Sequence, residues 1–200
     1  MTTDTAQQTS TDRRPGNAPA EWLADFGLLE RPARWLAERS ARQHGRLADV
    51  LRGRPLGHAL HPALTDLPIG FWTSGVVLDI VGGRRSAAAA QRLIGLGVLS
   101  AVPTALAGAA DVPTLGSRPR RVAIVHAASN ATALALFTRS WWGRLRGRHR
   151  SGVIDGLLAS SVATFGGYLG GWMAFGDHTG KGDKRDATGV PPVSRLRAVP

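Results

Sequence analysis

Cysteine is absent from this 200-residue chain. Its absence excludes structural disulfides, thiolate metal sites, cysteine-ligated iron–sulfur clusters and thioether-attached haem within the chain. Lysine is nearly absent too: of 25 basic residues only Lys181 and Lys184 are lysine, and against 14 acidic residues the formal charge is +11. A basic balance can indicate nucleic acid. Here the arginines stand between apolar runs rather than along one helix face, the placement that anionic head groups and membrane insertion favour. Nucleic acid is therefore not an expected partner, and the lipid bilayer is. Residues 1–20 lack an apolar core, so no signal peptide is expected there, and their Thr, Gln, Pro and Asp content predicts a disordered tail. No Ser–His–Asp set or paired carboxylates stand out, and GGYLGG has neither the lysine nor the strand-to-helix context of a phosphate loop. No catalytic residue is assigned, and the chain is not expected to be an enzyme by itself.

What the chain does contain is organised around residues 57–83, GHALHPALTDLPIGFWTSGVVLDIVGG, which carry no Lys or Arg until Arg84. This stretch is long enough to cross a bilayer as a helix. It also holds His58, His61, Asp66, Asp79 and two prolines, Pro62 and Pro68. Charge at membrane depth is costly and is rarely left facing lipid. His61, Thr65, Pro68, Trp72, Gly75 and Asp79 recur every three or four residues, so they mark one helix face that should point inward.

Four apolar runs follow one another between polar ends. Residues 21–56 predict an amphipathic helical segment, broken near Pro32, that either lies in the membrane interface or caps the bundle as a soluble hairpin. The first span is expected from Pro62 to Val81, kinked or loosened at Pro68. The second runs from Ala87 to Ala110, with Gly97, Ala101, Ala105 and Ala109 as a close-packing stripe. The third runs from Val122 to Phe137, with Trp141 and Trp142 at the interface. The fourth runs from Gly152 to Phe175, where Gly166 and Gly170, and Gly167 and Gly171, repeat the small-residue spacing. The expected fold is all-α: a four-helix transmembrane bundle over residues 57–178, with a disordered tail over 179–200.

Four antiparallel spans would bring His58, His61, Asp66, Asp111, His126, Asn130, Asp177 and His178 to the membrane face that bears both termini. Asp79 shares the inward face of the first span but lies at its other end, where Arg84 or Arg85 is the nearest partner in the chain. His61 and His126 are each expected at a helix N-terminus, where the helix field disfavours a cationic imidazole. A neutral imidazole can bind a metal or haem iron, while Asp66 acts in the opposite direction. Three readings of this layer stand. It is a hydrogen-bonded network that locks the bundle. It is a b-type haem or divalent-metal site, with His61 and His126 as the principal ligands and His58 beside them. Or it is a proton or solute path through Asp66, Asp79 and the histidines.

The run PLGHALHPALTDLPIGFWTSGVVLDIVGG, then AGAADVP, VHAASNATAL and GGYLGG, resembles a family of small four-span bacterial membrane proteins without an assigned reaction. The H-P-x-L-x-x-x-P-I-G stretch carries most of the resemblance, which covers residues 50–178. It implies weight on His61, Asp66, Asp79, Asp111 and His126. Some members are joined to a Rieske-type ferredoxin domain, which implies an association with electron transfer. Any iron–sulfur partner of this cysteine-free chain would be a separate protein; a homo-oligomer is the other expected assembly. The expected location is the inner membrane, multi-pass. Basic residues near the spans number nine on one side and eight on the other, so charge does not orient the chain. Both termini are expected in the cytoplasm, since residues 1–56 would otherwise need export without a signal.

Overall fold

The computed structural model describes residues 15–42 and 45–175. Among them are helices and 3₁₀ turns and no strand. The helices are α1 (Ala18–Asp25), α2 (Glu30–Ala41), α3 (Arg46–Leu51), α4 (Leu60–Val81), α5 (Ala87–Asp111), α6 (Ser117–Leu145) and α7 (His149–Phe175). His44, Asp177, His178 and the tail over 179–200 lie outside the described residues.

Three stretches are long and apolar enough to cross a membrane: Leu60–Val81, Gly83–Thr114 and His149–Phe175. α6 is as long, at 29 residues, but Arg118, Arg120 and Arg121 crowd its start and Arg139 and Arg144 its end. It begins five residues before the expected Val122, so His126 sits in its interior; the helix-end field acts on His61 alone.

The four long helices form an up-and-down ring. α4 packs chiefly on α5 and α6 on α7; contacts of α5 with α6 and α4 with α7 close the ring. α4 and α6 are therefore diagonal partners and run in the same direction. The face of α4 expected to point inward does so: Pro68, Trp72 and Gly75 are buried, and His61 and Thr65 half-buried. Pro68 lies inside a continuous α4. Proline has no N–H, so the Leu64 carbonyl loses its usual partner within the helix. The Thr104 hydroxyl of α5 reaches that carbonyl at 3.2 Å, its other acceptor being Ser100 O at 2.8 Å. The hydroxyl's one proton is shared between the two, so a neighbouring helix replaces in part the donor that the proline removed.

The close-packing stripes are split by rotation. On α5, Gly97 and Ala101 are buried, but Ala105 is exposed, and the inward line continues through Thr104 and Gly108. On α7, a Cβ at Gly166 would meet Asn130 and one at Gly170 would meet His126, whereas Gly167 and Gly171 face open space.

The N-terminal segment caps one end of this bundle. Its break falls at Phe26, not at Pro32, which sits in the first turn of α2, where a missing N–H costs nothing. The part of the expected disordered tail that is described, from Pro15, is helical. Ala20 and Ala24 of α1 are buried in a cluster with Val122, Leu169 and Trp172. Arg118 pairs with Glu21 at 2.6 Å and Asp25 at 2.9 Å, and Arg121 with Glu30 at 2.7 Å. Trp22, Leu28 and Trp35 point outward. The segment thus presents small residues to the bundle and large apolar ones to its surroundings.

Hydrogen bonds from Arg121 and then Arg34 hold the Glu30 carboxyl below its ordinary value of 4.5. A depressed carboxylate adds stability above that ordinary value, and the contribution disappears as pH falls through the lower folded value. Protease protection of residues 18–41 should therefore fall below pH 4.5 and persist in Glu30→Gln at a lower, less pH-dependent level.

Candidate functional site

His61 and His126 meet across the bundle. Their ring centroids are 6.3 Å apart and the rings are perpendicular. Each ring is held in the same way. His61 Nδ1 lies 2.9 Å from Thr104 O of α5, and His126 Nδ1 lies 2.9 Å from Gly166 O of α7. A carbonyl only accepts, so each Nδ1 carries a proton and Nε2 is the basic nitrogen. Glycines make room for both rings: an added Cβ would come within 2.8 Å of His61 Cε1 at Gly108 and 3.1 Å of His126 Cε1 at Gly170. Asn130 Nδ2 lies 3.0 Å from His126 Nε2 and 3.4 Å from its Nδ1.

The likeness of the two half-sites extends along the helices. His126, Phe137 and Arg144 stand at the same spacing on α6 as His61, Trp72 and Asp79 on α4. Each residue also pairs with its own counterpart. The histidines meet as described. Trp72 stacks on Phe137 with centroids 4.2 Å apart and planes 11° apart. Arg144 Nη1 and Nη2 bind Asp79 Oδ1 and Oδ2 at 2.9 and 2.6 Å, across 65 residues of chain. On α5 and α7, Thr104 and Gly108 correspond to Gly166 and Gly170. The α4–α5 and α6–α7 hairpins are thus related by a pseudo-two-fold axis between α4 and α6, along the bundle. The spacing H-x10-W-x6-D against H-x10-F-x6-R was visible in the sequence, but only the histidine is identical.

The axis carries a polar pair near each end and an aromatic plug between. Asp79 and Arg144 side chains are each 1% exposed, and Arg144 Nε also binds the Ser140 hydroxyl at 3.2 Å. Asp79 therefore pairs with Arg144, not with Arg84 or Arg85. The pair lies at the far end of the axis from the histidines, so Asp79 takes no part in their layer.

The other expected members of the layer are placed differently. His58 is exposed before α4, with Nδ1 3.1 Å from Ala59 O. Asp66 is exposed on the outer face of α4, in line with Gly70, Thr73 and Ser74. Asp111 is half-buried at the last turn of α5. Among the described residues no group of three or more His, Cys, Asp or Glu side chains is gathered as a metal site would gather them. The residues brought together are His61, His126 and Asn130.

These features define a multi-pass integral membrane protein, helical throughout the described residues, with two histidines in contact between two like hairpins. Residues 57–183 match the family described as "Predicted membrane protein (DUF2231)", and the chain belongs to that family. No curated protein matches it, and no solved structure does.

Proposed function

We propose that this protein is a four-span module of the inner membrane, associated with redox chemistry, that holds one b-type haem between His61 and His126. The fourth crossing is α6: the stretch Val122–Thr138 bears no charge, and the arginines beyond it are paired, Arg139 with Asp155 and Arg144 with Asp79. Four crossings put both termini on one side, the cytoplasmic one in this reading.

The observation that carries the haem assignment is the histidine pair. Haem can be held by as few as one or two protein side chains, whereas a structural divalent-metal site usually takes four. The described residues offer two imidazoles, each with Nδ1 on a carbonyl and Nε2 basic, the outer-shell arrangement of a ligating histidine. His61 and His126, their ring centroids 6.3 Å apart, are the residues that would hold the group. The haem would supply one-electron chemistry. The chain would hold it, exclude water with the Trp72–Phe137 plug, and pass electrons to a separate iron–sulfur or other redox protein. The outward strip of Asp66, Gly70, Thr73 and Ser74 suits a neighbouring helix, including one from a second copy.

A second reading is favoured by Asn130, whose amide already faces His126 Nε2. In it the layer is structural and the protein is a non-catalytic membrane scaffold. A proton path is less well supported: Asp66 points away from the axis, and the aromatic plug separates the histidines from Asp79.

The test is the absorption spectrum of detergent-purified protein made in haem-replete cells. A Soret band at one haem per chain, lost in both His61→Ala and His126→Ala, is the expected result. No band in the wild type, with both variants melting lower, would instead establish the structural layer.

A further inference from the structure

Arg84, Arg148 and Arg150 differ from the arginines at the start of α6. At the capped end, Arg118, Arg121 and Arg54 have carboxylate partners, and Arg120 donates to Leu115 O at 2.6 Å. At the opposite end, the side chains of Arg84, Arg148 and Arg150 make no hydrogen bond or ion pair among the described residues. The acids near that end, Asp79 and Asp155, are taken by Arg144 and Arg139. These three arginines, with His149 and Ser151, line one open cleft between the α4–α5 and α6–α7 connections. Gly147, at φ +73°, turns the second connection tightly, so that Arg148 N reaches Gly143 O at 2.9 Å. The cleft therefore gathers positive charge at the first turn of α7, where free backbone amides add a partial positive field.

We propose that this cleft holds the phosphate of an anionic phospholipid head group, with Arg84, Arg148 and Arg150 as its cations. Arginine forks match phosphate oxygens two at a time. The depth fits: the cleft lies at the ends of three membrane-crossing stretches, beside exposed Trp142, whose ring carries the Arg146 guanidinium at 4.4 Å. Tryptophan and arginine so arranged mark the head-group level of a bilayer. A soluble phosphate shares the chemistry but not the reason for this depth.

The test uses the full chain in nanodiscs of equal phosphatidylglycerol and phosphatidylcholine, released for native mass spectrometry of retained lipid. The wild type should keep phosphatidylglycerol over phosphatidylcholine by about tenfold, a modest share of the attraction that three basic residues give at an anionic surface. The Arg84→Gln/Arg148→Gln/Arg150→Gln variant should lose that preference, and the corresponding Arg→Lys variant should retain most of it. Equal retention of the two lipids by the wild type overturns the proposal, and so does an unchanged preference in a folded Gln variant. If inorganic phosphate displaces the lipid where chloride of equal ionic strength does not, the site is one for free phosphate, and the lipid assignment fails.

Discussion

Asp79→Ala should cost about 3–5 kcal/mol, the usual loss when one partner of a buried ion pair is removed. The guanidinium of Arg144 is 1% exposed and bound at both ends of its fork by Asp79. Without the carboxylate it would stay charged, because arginine does not release its proton in proteins. Arg144→Ala should cost less: the stranded Asp79 carboxylate can take up a proton and become neutral. The double variant Asp79→Leu/Arg144→Leu should recover most of the loss, since no charge then needs solvation. Thermal unfolding in one detergent orders the variants. Equal losses for the two single alanines would mean that charge is not what the pair contributes.

Gly97→Ala is expected to have the next largest effect, about 1–3 kcal/mol, as overpacking of a filled core does. An added Cβ there would collide with the Trp72 indole, which is held flat against Phe137 and cannot turn away. The pseudo-two-fold suggests the remedy. The counterpart of Gly97 on α7 is Ala159, fully buried in the same cluster as Phe137, the counterpart of Trp72. Trp72→Phe/Gly97→Ala rebuilds in the first hairpin the pair that the second already contains. It should melt several degrees above Gly97→Ala alone; if it melts no higher, the hairpins are not interchangeable at this layer.

Much of this was legible from spacing. Apolar runs of bilayer length marked three of the long helices to within a few residues. The inward face of α4 followed from its helical period, and alternation of direction put His61 and His126 at one level. Depth alone places Asp66 near the histidines; its rotation, five residues after His61 and off the line through Thr65 and Pro68, turns it outward. The true start of α6 was hidden because Arg118, Arg120 and Arg121 resemble a loop until Glu21, Asp25 and Glu30 are seen to neutralise two of them.

The sequence alone determined that the chain lives in a membrane, roughly where its apolar helices lie, and that it lacks thiolate ligands. Hydropathy and composition are local properties, so they survive without coordinates. Only the tertiary structure decided that Asp79 belongs to Arg144, that the histidines share one axis, and that Arg84, Arg148 and Arg150 line one cleft. Those pairings depend on how each helix is turned about its own axis. That rotation is set jointly by the glycines and aromatics of neighbouring helices, which no single stretch of chain records.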